Sequence, residues 1–227
     1  MKSIAALAVI FLLVLPALTR TVSAQVENNL VPNWQFNDRT NPLNSWRIDF
    51  PYQGSYVKNA GYAKLTETIR DGDAPAIGLT LPKGVAENEG GKVETAFIKI
   101  EPGATYHASV DVMTCDLAAK FFVEVYALDP TPPGAPSLDR IPALAGLPAL
   151  VKCYRAGFDD PKPKSRSWVT EKRDFTVPST VMIAGKPEGP AYAAIKAFGY
   201  SAWQGGSGNV YFSKFVLTKL KSSASSD

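Results

Sequence analysis

Histidine and cysteine are scarce in this chain, which has one histidine and two cysteines among its 227 residues. The single histidine, His107, falls in an alternating segment, where a lone histidine is more often a structural or surface residue than a catalytic one. No serine lies in a nucleophile-elbow sequence that could complete a Ser-His-Asp arrangement. The composition therefore argues against histidine-dependent hydrolysis.

An excess of one charge is also lacking. The chain has 24 lysines and arginines against 21 aspartates and glutamates, a formal net charge of +3. Proteins that bind nucleic acid or anionic membranes usually carry a strong basic excess. The balance argues against either partner, and it predicts that salt will have little effect on ligand binding.

Only one long apolar run is present, at 4–18, and it is short for a membrane span because Pro16 interrupts it. The small residues Val22-Ser23-Ala24 that follow suit signal peptidase. We predict a signal peptide at 1–24 and a secreted, periplasmic or extracellular protein that begins at Gln25 and has no membrane span after processing. An uncleaved N-terminal anchor is the alternative.

The two cysteines, Cys115 and Cys153, both lie in the exported part. An even count in an exported chain, with no histidine or third cysteine close in sequence, favours a disulfide over a metal site. Such a bridge would stabilise the fold by about 4 kcal/mol. We predict this disulfide, and two free thiols are the alternative.

Helical periodicity is almost absent, and short β-rich runs are separated by Gly, Pro, Asn and Asp. Within 106–113, Ala108, Val110 and Val112 point to one side, as expected for a sheet that packs on a core with one face. Phe121, Val123 and Val125 do the same. We predict ten strands, near residues 29–36, 46–50, 62–68, 76–81, 92–100, 106–113, 121–128, 168–176, 192–200 and 210–220.

The alternation breaks in the last of these strands. Val210 and Phe212 fit one phase, whereas Phe215 and Leu217 fit the other. A β-bulge at 213–214 would bring all four side chains to the core. We therefore predict a bulge there.

Residues 130–167 are rich in proline and do not alternate, so we expect an irregular insertion. Its apolar content and Cys153 predict that it packs on the sandwich, tied through Cys115. We expect one domain over 25–220 and a disordered tail at 221–227.

Four segments, in this order, resemble carbohydrate-binding modules of families 4, 9 and 22, which have a galactose-binding-like fold. They are NNLVPNWQF (28–36), IKIEPGATY (98–106), WVTEKRDFTVP (168–178) and VYFSKFVLTKL (210–220). The resemblance implies an all-β fold, a single antiparallel jelly-roll β-sandwich, here with a proline-rich inserted loop. It also implies a non-catalytic module that binds a polysaccharide or other glycan.

Sugar rings present flat C–H faces that pack on aromatic side chains, and their hydroxyls need polar partners. We interpret Trp46 and Trp168 as structural. Tyr52 and Tyr56, in the Pro/Gly-rich segment PYQGSY, and Trp203, in SAWQGGSG, are the predicted binding platform. The predicted hydrogen-bonding residues are Gln53, Asp111, Glu124 and Gln204.

The chain departs from the resembled family at the usual structural calcium. The positions that would supply its ligands read Asn37, Ser213 and Lys214, and a lysine does not suit a cation that requires oxygen ligands. Asp71 and Asp73 could form a different oxygen site, although this sequence is more often only a turn. We predict no metal and no cofactor.

Two other functions stay open. The fold could serve a structural or interaction protein of the cell envelope or secreted matrix, without a sugar ligand. A glycan hydrolase or lyase would need two carboxylates, and Asp111 and Glu124 are predicted on neighbouring strands, both on the less apolar face.

Overall fold

The computed structural model describes residues 28–52, 55–58, 63–72, 74–86, 90–129, 150–157, 166–200 and 206–221. Strands dominate these residues, in which the one helix is the four-residue α1 (Lys83–Ala86). No helix in this part of the chain has the length and apolarity to cross a membrane. The strands are β1 (Trp46–Tyr52), β2 (Ser55–Lys58), β3 (Ala63–Asp71), β4 (Ala74–Leu81), β5 (Gly91–Thr95), β6 (Ile98–Lys99), β7 (Thr105–Cys115), β8 (Ala118–Leu128), β9 (Leu150–Gly157), β10 (Val169–Thr176), β11 (Val181–Ile183), β12 (Lys186–Glu188), β13 (Tyr192–Tyr200) and β14 (Gly208–Lys219).

Twelve of these strands form two antiparallel sheets that enclose one core, and β11 and β12 form a separate two-stranded sheet. The seven-stranded sheet has the order β2-β1-β5-β13-β8-β9, with β6 also paired to β13, and the five-stranded sheet has the order β10-β7-β14-β4-β3. The core contains apolar residues from both sheets. The chain changes sheet repeatedly, for example from β4 to β5, from β7 to β8 and from β13 to β14. The predicted all-β, antiparallel jelly-roll β-sandwich is confirmed.

The predicted core faces are also confirmed. Ala108, Val110 and Val112 of β7 are buried, and their neighbours His107, Ser109, Asp111 and Met113 lie on the outer side. Phe121, Val123 and Val125 of β8 are buried in the same core. The period-two alternation therefore predicted correctly which side chains of both strands face the core.

The β-bulge in the last strand lies where the alternation predicts it. The register of β14 against β7 shifts between Ser213 and Val216, and Lys214 has a positive φ of 49°. Val210, Phe212, Phe215 and Leu217 are all fully buried.

The predicted strand at 29–36 is wrong, because this segment forms turns. Asn33 and Phe36 have φ values of 47° and 50°, which an extended strand does not contain. The segment still joins the C-terminal strand. The amide of Leu30 donates to the carbonyl of Leu217 at 2.8 Å, and the Asn29 side-chain amide donates to the carbonyl of Phe215 at 2.8 Å. The two ends of the domain therefore meet without a paired N-terminal strand.

The inserted segment is not irregular throughout. Residues 150–157 form β9, which pairs antiparallel with β8 at the edge of the seven-stranded sheet. Ladder hydrogen bonds therefore hold this part of the insertion on the sandwich. The predicted signal peptide, residues 130–149 and 158–165 of the insertion, and the tail after Lys221 lie outside the described residues.

The predicted disulfide is wrong, because both cysteines are free thiols. Cys115 ends β7 in the five-stranded sheet, whereas Cys153 lies in β9 of the other sheet. The register of β9 shifts at Cys153, and its thiol donates to the carbonyl of Val125 at 3.3 Å. Burial raises the pKa of the Cys153 thiol. The edge-strand pairing supplies the anchor that the disulfide was expected to give.

Candidate functional site

The outer face of the seven-stranded sheet carries side chains that alternate with its core residues. The antiparallel register places Lys196 of β13 opposite Phe122, and Arg155 of β9 opposite Glu124. Charged and aromatic side chains are therefore neighbours across three strands. On β8 the outward residues are Lys120, Phe122, Glu124 and Tyr126.

An ion-pair network occupies the middle of this face. The ammonium of Lys196 lies 2.6 Å from Oε2 of Glu124 and 3.7 Å from Oε1 of Glu94. Lys92 lies 2.9 Å from Glu94, and Lys152 lies 3.3 Å from Glu124. Glu94 is only 1% exposed and Glu124 5%. Buried carboxylates are costly unless they are paired, so three lysines hold these two in fixed positions.

The protonation states of this network follow from its contacts. Burial by itself raises the pKa of Glu124, but Lys196 and the Tyr126 hydroxyl, which donates to Oε2 at 2.7 Å, outweigh it and lower the pKa to about 2. Burial lowers the pKa of Lys196, but the charges of Glu94 and Glu124 raise it by more, so the net effect is a raised pKa. Burial raises the pKa of Tyr126. At neutral pH the network therefore contains an anionic Glu124, a cationic Lys196 and a neutral phenol.

One end of the face is closed by three aromatic rings. The ring of Phe97 lies edge-on to Tyr126 and Tyr192, with centroid distances of 5.3 and 6.2 Å. Tyr126, Tyr192 and Ala194 are buried, and together they form a small cluster separate from the main core. This end supports the sheet and offers little accessible surface.

The other end of the face is more open. The rings of Phe122 and Phe198 are half-buried and meet edge-on at 5.7 Å. The guanidinium of Arg155 lies 4.6 Å from the centre of the Phe122 ring, and the ammonium of Lys120 lies 4.6 Å from the centre of the half-buried Tyr200 ring. We call these five residues the ring–cation patch. It offers apolar ring surface beside two cations.

The five-stranded sheet has a different cluster on its own outer face. The β14 bulge places the ammonium of Lys214 2.7 Å from Asp71 and 3.3 Å from Asp111, and the Thr170 hydroxyl donates to Asp111. Burial raises the pKa of Asp71, and the neighbouring Asp111 raises it further. Burial acts in the same direction on Asp111, but hydrogen bonds from Asp71, Thr170 and Lys214 outweigh it, and the net effect lowers its pKa. The two carboxyls hold the lysine between them.

The positions where the family resemblance implies calcium are used by side chains of this chain. Ser213 is buried and its hydroxyl donates to the carbonyl of Pro75 at 2.8 Å, and Lys214 pairs with the two aspartates. Asp73, the other half of the alternative oxygen site, lies outside the described residues. Among the residues described, no group of three or more His, Cys, Asp or Glu side chains is arranged to hold a metal ion.

The prediction that Asp111 and Glu124 lie on neighbouring strands is wrong. Asp111 is in β7 of the five-stranded sheet and Glu124 is in β8 of the seven-stranded sheet, so the two side chains lie on opposite outer faces of the sandwich. The reason is the short connection between β7 and β8, where Asp116 has a φ of 66° and the chain crosses between sheets. The pair cannot act on one glycosidic bond.

The other predicted site residues are placed only in part. Tyr52 ends β1 and Tyr56 lies in β2, so they belong to a hairpin at the edge of the seven-stranded sheet and not to a loop. Their side chains, and the whole of Gln53, Trp203 and Gln204, lie outside the described part of the structure. Trp46 is in the main core, as predicted.

Sequence reasoning missed the ring–cation patch because it looked for exposed rings in loops. Alternation in β8 already turns Lys120 and Phe122 away from the core, and this signal could have selected them. Phe198 and Arg155 join them only because β13 and β9 flank β8. That strand order is not visible in any local sequence.

No protein-family model matches the chain, and no curated protein matches it. Among solved structures, the enzymatically active domain of tailspike protein 4 of bacteriophage CBA120 is 14% identical, with a TM-score of 0.51. The match covers 85% of this chain and 21% of that chain, so this chain spans about a fifth of the tailspike domain. At this identity the likeness shows the fold alone.

Carbohydrate-binding modules are also among the similar structures. A family 4 module is 15% identical over 84% of this chain and 99% of its own, with a TM-score of 0.42. The C-terminal family 22 module of Clostridium thermocellum Xyn10B is 11% identical over 82% of this chain and 90% of its own, also at 0.42. The predicted resemblance to families 4 and 22 is found. Likenesses at this level say nothing about a ligand.

Proposed function

We propose that this chain is an exported, non-catalytic protein that binds a glycan on the outer face of its seven-stranded sheet. The observation that carries the proposal is the ring–cation patch, where half-buried aromatic rings lie beside a fixed network of ion pairs. Aromatic surface for the C–H faces of a sugar, next to polar groups for its hydroxyls, is the usual composition of a carbohydrate site.

The rigidity of the neighbouring network supports binding at this place. Lys196 and Glu124 are held by each other and by Lys152, so little side-chain freedom is left to lose when a ligand arrives. Phe122 and Phe198 are fixed by their edge-on contact. A shallow site of this kind should bind with a dissociation constant of roughly millimolar to ten micromolar.

The electrostatics of the same face argue against turnover. Glycoside hydrolysis needs one carboxyl with a raised pKa that donates a proton to the leaving group. Glu124 has a pKa of about 2 and is paired with Lys196, and Glu94 is paired with Lys92 and Lys196. We therefore expect no release of reducing sugar from any polysaccharide that the protein binds.

The test is affinity electrophoresis and calorimetry of the chain from Gln25 against β-glucan, xylan, mannan and an acidic polysaccharide. Phe122→Ala and Phe198→Ala should each weaken binding at least several-fold, because each removes ring surface. Met182→Ala is the matched control, since Met182 is 68% exposed on the separate β11–β12 hairpin. Its binding and its circular dichroism spectrum should match those of the parent.

A triple variant of Tyr52, Tyr56 and Trp203 to alanine tests the platform predicted from the sequence. Loss of binding in this variant and not in the phenylalanine variants would move the site to the β1–β2 hairpin. If no polysaccharide is bound by the parent, the glycan proposal fails, and a structural or interaction protein of the cell envelope or matrix becomes the better description.

Export has its own test. Expression of residues 1–227 in a secreting bacterium, followed by N-terminal sequencing of the released protein, should find Gln25 as the first residue. Retention of residues 1–24 on a cell-bound protein would support the uncleaved anchor instead.

A further inference from the structure

We propose that the glycan accepted by the ring–cation patch is anionic, with carboxylate or sulfate groups that Lys120 and Arg155 bind while its sugar rings pack on Phe122 and Phe198. This inference rests on the proposed function and adds the chemical class of the ligand. It also replaces the expectation, drawn from the near-neutral charge of the whole chain, that salt has little effect.

The charge of this face differs from that of the whole chain. On β5, β13, β8 and β9, four successive strands that end at the β9 edge of the sheet, cations outnumber carboxylates among the outward-facing residues. Both carboxylates are buried, whereas Arg155 and Lys152 are exposed and Lys120 is half-buried. A ligand that approaches this face therefore meets mainly positive charge. The cations are Lys92, Lys120, Lys152, Arg155 and Lys196, and the carboxylates are Glu94 and Glu124.

The ion pairs divide these cations into two groups. Lys92, Lys152 and Lys196 are engaged with the glutamates and balance them. Lys120 and Arg155 contact aromatic rings, and among the described residues neither has a carboxylate partner. These two cations are therefore available for a negative group on a ligand.

The geometry suits a charged sugar better than a neutral one. Lys120 and Phe122 are two residues apart on β8, and Phe198 lies opposite Lys120 on β13. Arg155 lies on β9, which flanks β8 on the side away from β13, and it contacts the Phe122 ring. The rings thus lie between two cations, so a sugar stacked on the rings can direct a negative group to either side. A guanidinium binds carboxylate or sulfate through two parallel hydrogen bonds, and its contact with the ring holds it in place.

The test compares charged and neutral forms of the same polymer by affinity electrophoresis and calorimetry at low and physiological salt. Polygalacturonate is compared with its methyl ester, and dextran sulfate with dextran. The parent should bind a charged form at least tenfold more tightly than its neutral form, and the preference should shrink as salt rises. Binding of polygalacturonate alone assigns carboxylate as the recognised group, and binding of dextran sulfate alone assigns sulfate.

The variants are Lys120→Gln, Arg155→Gln and the double variant, with Lys172→Gln as the control. Lys172 is an exposed lysine of β10, a strand of the five-stranded sheet. Each charge-assisted hydrogen bond lost should weaken binding of the anionic polymer by about tenfold or more. Binding of a neutral glycan should fall by a smaller factor than binding of the anionic polymer, and Lys172→Gln should behave like the parent.

Four results would overturn the inference. Equal binding of charged and neutral polymers would reject anionic specificity and leave the proposed glycan binding intact. No binding to any polysaccharide would reject both. Retention of anionic binding in the double variant would place the recognition elsewhere. Equal binding of an oligothymidylate, unaffected by Phe122→Ala and Phe198→Ala, would show a nonspecific basic surface.

Discussion

The substitution Phe215→Ala tests the packing that the β14 bulge creates. Phe215 has no exposed surface, and its ring lies 4.7 Å from that of Trp46, 6.3 Å from those of Phe121 and Phe212 and 6.4 Å from that of Phe36. Truncation of a buried phenylalanine costs about 3–5 kcal/mol. Because four ring contacts are lost together, each worth about 0.5–1.5 kcal/mol beyond burial, we expect the upper part of that range.

The assay is urea unfolding followed by circular dichroism and tryptophan fluorescence, with thermal melts in parallel. A loss of about 4–5 kcal/mol corresponds to a fall in melting temperature of roughly 10–15 °C for a domain of this size. The urea midpoint should fall while the slope stays the same, since the folded structure is retained. Met182→Ala, at an exposed residue, should change stability by less than about 0.5 kcal/mol.

A loss of less than about 1 kcal/mol in Phe215→Ala would refute the register, because a side chain that costs so little to remove is not in the core. If the alanine variant does not fold, Phe215→Leu carries the test. Leucine keeps part of the buried surface, so a smaller loss of about 1–2 kcal/mol is expected.

Three further predictions concern charge and thiols. Glu124 has a folded pKa of about 2, below its value in the unfolded chain, so the stability it provides above about pH 4.5 is lost as the pH falls towards 2. In Glu124→Gln, the fall in the free energy of unfolding over this pH range, measured with urea, should be smaller than in the parent by about 3 kcal/mol. An unchanged pH profile would contradict the network. The pKa of Asp71 is already raised in the parent and Lys214 partly offsets this, so Lys214→Met should raise it further. The variant should therefore be less destabilised at pH 4 than at pH 7, and the opposite order would contradict this. Cys115 and Cys153 should both be alkylated when the unreduced protein is unfolded, and a mass lower by two protons with no alkylation would restore the disulfide.

Local patterns predicted those parts of the fold that local physics determines. The faces of β7 and β8 followed from alternation, because a one-residue slip would expose every apolar side chain of a strand. Proline followed by glycine favours a turn, and Glu101–Ala104 contains this pair. The structure has this turn, with a φ of 75° at Gly103 and a hydrogen bond from the amide of Ala104 to the carbonyl of Glu101.

The errors arose where long-range pairing overrides local signals. Residues 150–157 lack clear alternation, since an edge strand such as β9 is solvated on much of its surface, and only its pairing with β8 defines it. The segment at 29–36 has strand-like composition, but the Asn29 side chain bonds to β14 in place of a ladder. The disulfide was inferred from the even cysteine count, the predicted export and the lack of other metal ligands nearby. None of these gives information about which sheet each cysteine occupies.

The candidate site was less predictable than the fold for the same reason. Strand order decides which faces meet, and β7 and β8, adjacent in sequence, lie in different sheets. Asp111 and Glu124 were therefore paired wrongly, while Phe122 and Phe198, far apart in sequence, became neighbours.

The β-bulge in β14 explains both why Phe215 is in the core and why Lys214 lies between Asp71 and Asp111. In an unbroken strand with Phe212 inward, Ser213 would face out, Lys214 would face the core and Phe215 would be exposed. Burying an unpaired ammonium costs far more than one disrupted ladder position, so the bulge is the favoured solution. Its cost is a lysine at a φ of 49°, about 1–2 kcal/mol for a residue with a Cβ. The ion pairs with Asp71 and Asp111 offset this strain, and they place a lysine ammonium where the resembled family is expected to hold calcium.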